Sequence, residues 1–216
     1  MVLVFDNVVD PAFAPLTDEI ARRFDDATVV NVPDGDPAPP LERVDAAVVT
    51  GSSAGVYETD ERPWIDRETS VVRSLVDRRV PTLGICFGHQ LINAALGGRV
   101  ERRSLTAGFV RASLDDALLF DGVSPVVPVV HADHVTASGD GMERIGSADH
   151  CPIFASRHRS APVWTVQYHP ELTAEVARTC VEPAVGWEDG PYSHADSTAV
   201  RTLANFERIV AGTATR

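Results

Sequence analysis

One stretch limits what this chain can fold into more than any other, Pro81-Thr82-Leu83-Gly84-Ile85-Cys86-Phe87-Gly88-His89-Gln90. Val80 to Ile85 is an apolar run of strand character that ends at a cysteine. A helical pattern follows at once, Leu91 to Leu96, closed by Gly97-Gly98. Strand, tight turn and helix with the cysteine at the turn make a nucleophile elbow, which stands the reactive side chain at the top of a sheet. Gly84 and Gly88 relieve the crowding beside it. The helix directs its N-terminus near the sulfur, where its partial positive charge favours thiolate over thiol. The Phe87 N–H, next after the nucleophile, is placed to donate to an oxyanion.

A thiol at neutral pH needs a base, and the base needs an orienting group. Val166-Gln167-Tyr168-His169-Pro170-Glu171 supplies both, with His169 as base and Glu171 as its orienter. In an extended strand end, residues two apart point the same way, so the carboxylate can reach the imidazole. The alternative for Cys86, an ordinary buried cysteine at a strand end, gives no account of this second stretch.

Gly-Ile-Cys-Phe-Gly-His-Gln followed by His-Pro-Glu resembles the class I (triad) glutamine amidotransferases, closest to the glutaminase unit of GMP synthase and its free-standing relatives. The resemblance runs from Met1 to about Phe206, so residues 1–216 are expected to form a single domain of that family. It implies a flavodoxin-like three-layer α/β sandwich: a mostly parallel central sheet, the elbow, and a small antiparallel extension. It also implies a catalytic set of Cys86, His169 and Glu171. The oxyanion donors would be Phe87 and the Gly51–Ser52 turn, and Gln90 would hold the amino-acid end of glutamine. Two loops depart from the family pattern. Thr50-Gly51-Ser52-Ser53 stands where relatives have Ser-Gly-Gly-Pro, and Leu105-Thr106-Ala107-Gly108 keeps only the glycine of an Arg-Glu-Phe-Gly run. Gly108 and the His131-Ala132-Asp133-His134-Val135 loop correspond to family segments beside the glutamine site, which makes Gly108, His131 and Asp133 candidate substrate contacts. His89 is too near Cys86 in sequence to be its base and reads as structural.

The rest of the chain fits such a scaffold. Val2–Phe5, Thr28–Val32 and Asp45–Thr50 read as strands, Pro11–Phe24 and Asp60–Arg79 as helices. Alternating strands and helices imply a parallel sheet covered on both faces, with ligands beyond the C-terminal strand ends. The strands ending at Asp6, Thr50 and Cys86 would deliver those ends to one edge. Arg99–Leu105 and Gly108–Leu114 read as short strands of a hairpin or meander, Ile145–Ala155 and Val163–Tyr168 as antiparallel strands, and Thr198–Val210 as a terminal helix. Trp187–Asp196 is an acidic, aromatic insertion placed to cover the site or meet a partner.

Charge excludes some functions. The 216 residues carry a formal net charge of −12, and all 19 basic residues are arginine. Nucleic-acid binding needs a basic footprint that is lacking. The lysine-free acidic surface reads as adaptation to high salt, where screening removes self-repulsion. The apolar runs are too short to span a membrane. The start, Met1 to Asp6, carries no basic leader. Cys86, Cys151 and Cys180 show neither a disulfide framework nor metal-ligand spacing, as expected of a cytoplasmic protein without metal or other cofactor. With glutamine as the substrate the resemblance implies, and with no P-loop in the chain, any use of the ammonia in synthesis would need a separate ATP-dependent synthetase subunit, that of GMP synthase being one candidate. The same residues also fit a free-standing γ-glutamyl hydrolase or peptidase, and a binding module with a relic triad.

Overall fold

The computed structural model describes residues 1–188 and 190–213. Nine strands form one sheet in the order β2-β1-β3-β4-β9-β8-β7-β5-β6. β1 (Val2–Asp6), β2 (Ala27–Asn31), β3 (Ala46–Val49), β4 (Thr82–Ile85) and β9 (Val163–Val166) run parallel. β8 (Cys151–His158), β7 (Met142–Ala148), β5 (Arg99–Leu114) and β6 (Val126–Ala137) continue the sheet antiparallel. The expectation of a mostly parallel sheet with a small extension is therefore corrected: four of the eight strand pairings are antiparallel.

The centre of the parallel half is mostly apolar because both of its faces are covered. All four residues of β3 and all four of β4 are buried. Side-chain alternation divides them between two cores. Leu3, Phe5, Ala47 and Val49 face Trp64, Ile65 and Leu75 of α2 (Trp64–Asp77) and Phe87 and Leu91 of α3 (Phe87–Ala95). Val4, Ala46, Val48, Leu83 and Ile85 pack with Ile20 of α1 (Ala14–Ala21), Phe24, and Leu203 and Phe206 of α6 (Arg201–Thr213). The result is three layers, with the ends of β1, β3 and β4 at one edge.

Two segments differ from the sequence reading in kind. Arg99–Leu114 is one 16-residue strand that pairs with β6, not a hairpin with itself; a register shift between Arg102 and Thr106 absorbs the irregular middle. A bulge bends a strand without ending it. Ile145–Ala155 is not one strand but the turn region of the β7–β8 hairpin, with Ala148 opposite Cys151. Of the insertion, Asp189 lies outside the described residues. Trp187 stacks on His194 and meets Phe109 edge-on, against a small apolar cluster from Leu172 to Val181. That cluster is carried by Leu172, α4 (Ala174–Val176) and a π-helical turn (Ala177–Val181), which α5 (Glu182–Val185) continues.

Candidate active site

The elbow is built as its glycines require. Cys86 ends β4 and adopts φ 51°, ψ −104°, a left-handed conformation costly for a residue with a side chain. A Cβ at Gly84 would lie 2.6 Å from the Gly88 carbonyl oxygen, and one at Gly88 would lie 2.1 Å from that of Val49. Only glycine lets strand, turn and helix approach this closely. Phe87 is the first residue of α3, so its N–H has no acceptor within the helix. The next donor, the Gly88 N–H, is taken by the Thr50 carbonyl at 3.2 Å.

His169 is delivered from beyond β9. Its N–H donates to the Pro128 carbonyl of β6 at 3.0 Å, which ties the segment to the antiparallel half. The strand has ended by then: the Leu172 N–H bonds the His169 carbonyl at 3.2 Å, so His169-Pro170-Glu171-Leu172 is a turn. The expected pairing of imidazole and carboxylate holds, but a proline turn folds Glu171 back under the ring instead of strand alternation aligning them. His169 Nδ1 and Glu171 Oε1 are 2.7 Å apart, with the residues 5% and 1% exposed.

On the side away from Glu171 the imidazole interacts with the Cys86 sulfur. Both groups also touch the Val130 carbonyl, Sγ at 3.6 Å and Nε2 at 3.4 Å. Burial pulls the His169 imidazolium toward neutrality, but the Glu171 carboxylate and the Cys86 sulfur more than reverse this and hold it well above the usual histidine range.

Gly51 closes the third side. A Cβ there would be 3.1 Å from His169 Cε1 and 3.7 Å from Cys86 Cβ, so this turn lies directly over the pair. Ser52 Oγ accepts from the Ala54 N–H, a local turn that occupies the hydroxyl.

A cavity of about 290 Å³ opens over these residues. Gly51, Ser52, Cys86, Gln90, His131, Asp133, His169 and Glu171 all reach it. Gln90 is committed within the protein: its Nε2 donates to the Asp133 carbonyl at 2.9 Å and to Gln167 Oε1 at 3.3 Å. His131 meets the Asp133 carbonyl through Nδ1 at 3.1 Å and His150 through Nε2 at 3.0 Å; burial lowers its pKa to about 3, so the ring is neutral. Gly108 does not reach the cavity. It lies under Glu188, whose carbonyl oxygen would be 3.3 Å from a Cβ, because the bulge in β5 carries Arg102 and Leu105 to the rim in its stead. His89 is wholly buried, bonded to Thr165 Oγ1 at 2.7 Å and the Ile153 carbonyl at 3.1 Å, remote from any base role. Among the described residues, no group of three or more His, Cys, Asp or Glu is arranged to hold a metal, and no helix is long and apolar enough to cross a membrane.

Several side chains at the site carry no motif in the sequence. Tyr57 donates its hydroxyl to Asp133 Oδ1 at 2.9 Å. Asn7 and Glu68 lie beneath the Thr50–Gly51 turn, with Asn7 Nδ2 donating to Glu68 Oε1 at 3.0 Å. A signal for Glu68 existed: it sits at the helical spacing of Trp64, Ile65, Val72, Leu75 and Val76, a carboxylate on the apolar stripe of α2.

A strained cysteine on an elbow, a buried histidine against it and a carboxylate behind that define a thiol-dependent acyl-transfer scaffold. Within that class, the family model of the class-I glutamine amidotransferases matches residues 16–181, and the chain belongs to that family. One relative is the glutamine-hydrolysing GMP synthase subunit of Archaeoglobus fulgidus, 33% identical over 141 residues, covering 63% of this chain and 71% of that one. The glutamine-hydrolysing GMP synthase of Clostridium novyi is 32% identical over 131 residues, covering 59% of this chain but 24% of that protein. In fold, the chain is similar to a glutamine amidotransferase from Thermotoga maritima, with a TM-score of 0.79 at 20% identity over 97% of each chain. A glutamine amidotransferase from Methylobacillus flagellatus gives a TM-score of 0.72 at 20% identity over 97% of this chain and 92% of that one.

Proposed function

We propose that the chain hydrolyses the side-chain amide of glutamine to glutamate and ammonia through a cysteine thioester. The observation that carries this is the buried His169–Glu171 pair, 2.7 Å apart, with the imidazole facing the sulfur of the strained Cys86. Cys86 passes its thiol proton to His169 and its sulfur attacks the carboxamide carbon, forming the C–S bond as the carbonyl π electrons move onto oxygen. The Phe87 N–H and the Gly51–Ser52 turn stabilise the tetrahedral oxyanion, each donor worth about 3 kcal/mol. The His169 imidazolium, kept protonated by Glu171, gives its proton to the departing nitrogen as the C–N bond breaks. Neutral His169 then takes a proton from water, whose oxygen attacks the thioester; glutamate leaves and the sulfur is restored.

The A. fulgidus relative is named as one subunit of a glutamine-hydrolysing synthase, which supports a separate ATP-dependent synthetase chain as the destination of the ammonia. The test is ammonia release from glutamine by the purified chain, alone and with the synthetase chain of GMP synthase. Release that the partner stimulates supports the reading; no release under either condition refutes it.

One feature of the cavity favours a second reading, γ-glutamyl amide or peptide hydrolysis. Leu105, Val8, Val9, Phe13, Leu16, Val181 and Val185 all line the cavity and give it apolar surface. Free ammonia gains nothing from such a surface, whereas an apolar amine does. Faster cleavage of a γ-glutamyl amide of an apolar amine than of glutamine would establish it.

A further inference from the structure

Beneath the Thr50–Gly51 turn lies a polar group sealed from water. Asn7, at the end of β1, is fully buried, Thr50 is 2% exposed and Glu68, on α2, is 1% exposed. Asn7 holds Thr50 twice, its N–H donating to Thr50 Oγ1 at 3.0 Å and its Nδ2 to the Thr50 carbonyl at 3.4 Å. Thr50 Oγ1 in turn donates to the Gly51 carbonyl at 3.3 Å, and the Thr50 carbonyl also receives the Gly88 N–H of the elbow helix. The turn that caps Cys86 and His169 is thus fastened from below by Asn7.

Asn7 is itself held by Glu68, and here two hydrogen bonds are missing. One Asn7 amide hydrogen goes to Thr50, the other to Glu68 Oε1. Asn7 Oδ1 and Glu68 Oε2 are both buried without a hydrogen-bond partner. Buried acceptors left unpaired cost about 1–3 kcal/mol each, more if charged. Two orphan acceptors on two side chains that already share a bond are satisfied together by a single added proton.

We infer that Glu68 is a neutral carboxylic acid whose O–H donates to Asn7 Oδ1, closing a two-bond acid–amide ring, and that this ring is the positioning element of the Thr50–Gly51 oxyanion turn. The inference rests on the glutaminase reading for its kinetic consequence, though not for the protonation itself. The surroundings agree. Burial raises the Glu68 pKa to about 8 against a lesser lowering by Asn7, and no charged side chain contributes. The charged neighbours on adjoining segments have partners elsewhere. Asp6 of β1 accepts from Thr17 Oγ1 and the Val8 N–H, and Arg62 pairs with Glu58 ahead of α2. Ionised Glu68 would face Asn7 Oδ1 with like partial charge, so the turn should loosen as pH rises through that value.

Two measurements decide it. In infrared spectra at pH 7, wild type should show a protonated-carboxyl carbonyl band that Glu68→Gln removes. In the pH profile of glutamine kcat, wild type should show an alkaline fall near pH 8 that Glu68→Gln lacks, since an amide offers Asn7 Oδ1 an N–H in place of the acid O–H at every pH. Glu68→Gln should keep its pH 7 kcat within about threefold, while Glu68→Ala should lose roughly tenfold or more with little change in KM. Absence of the carboxyl band overturns the inference, as does the fall near pH 8 persisting in Glu68→Gln, as distinct from any fall at higher pH set by His169, or a kcat loss in Glu68→Gln equal to that in Glu68→Ala. Should wild type release no ammonia, the proposed function fails alone and the infrared comparison still decides the protonation of Glu68.

Discussion

Gly51→Ala adds one methyl group at the point where the turn, the sulfur and the imidazole converge. Its Cβ would stand 3.1 Å from His169 Cε1 and 3.7 Å from Cys86 Cβ. Carbon atoms prefer about 3.5–4.0 Å, so the cysteine contact is acceptable and the imidazole contact is short by roughly half an ångström. Gly51 is not in the left-handed region, so alanine adds no backbone strain and the effect is contact alone. The ring has little room to retreat. Its Nδ1 is fixed at 2.7 Å by Glu171 and its backbone at 3.0 Å by Pro128. It therefore pivots about Nδ1, and Nε2, the atom facing sulfur, moves most. A misplacement of about 1 Å can cost 10²-fold; half of that predicts a loss of roughly tenfold in kcat, about 1.4 kcal/mol. Global stability should fall by about 1 kcal/mol or less, in line with mild overpacking. The assay is steady-state ammonia release, with urea unfolding alongside. Gly190→Ala is the control, because that position opens onto empty space. A Gly51→Ala protein that folds as wild type and keeps its full kcat would refute the argument that this turn spaces the imidazole.

Other substitutions separate chemistry from architecture. Cys86→Ala should abolish ammonia release while leaving the urea midpoint little changed, since it removes the nucleophile but keeps a Cβ at the same strained position. Glu171→Gln should be milder, lowering kcat roughly 10²-fold, because the imidazolium loses its buried counter-charge but not its turn. Gly88→Ala should fail to yield soluble folded protein, as its Cβ would sit 2.1 Å from the Val49 carbonyl oxygen. Stability should depend on pH at two ends. His89 is held neutral by burial, its pKa lowered to about 4. Its folded value lies below the unfolded one, so the stability it contributes is present above pH 6.5 and is lost as pH falls toward 4. His169 is raised, so its contribution is full below pH 6.5 and is lost as pH rises through its folded value. Urea midpoints measured across pH should show the acid slope reduced in His89→Gln and the alkaline slope reduced in Glu171→Gln.

What the sequence makes legible is the chemistry that is local in the chain. The elbow can be read because strand, cysteine, glycines and helix are contiguous, and steric rules act on neighbours. The His169–Glu171 pair is equally readable at a spacing of two, although a proline turn and not an extended strand produces it. The edge shared by Asp6, Thr50 and Cys86 follows from alternating strands and helices. The extent of the antiparallel half is not readable in this way, because a short break such as Thr106-Ala107 looks the same in a bent strand as in a connection between two strands. Whether such a stretch bends a strand or ends it is decided by β6 alongside, more than twenty residues away in the chain.

The same distinction explains why the sequence points to Gly108 for a role that Arg102 and Leu105 are placed to take, and why it gives Glu68 no role at all. A carboxylate on the apolar stripe of α2 stands out in the sequence, but its partner is supplied only when β1 brings Asn7 against it, 61 positions away in sequence. Burial without a cation would be strongly unfavourable for an anion. A neutral acid bonded to an amide removes most of that penalty and leaves the amide fixed where it can hold Thr50. The elbow supplies the nucleophile by short-range sterics, but the turn above it is held by a contact that exists only once β1, β3 and α2 have met. On that argument the turn is fastened by β1, β3 and α2 alone, while His169 arrives separately, from beyond β9 and tied to β6. Glu68→Ala should accordingly disturb the turn without moving His169, and the Cys86 alkylation rate, which reports the sulfur and its imidazole, should change less than about threefold where kcat falls tenfold or more. A parallel loss in both would mean that the two halves of the site are not separable.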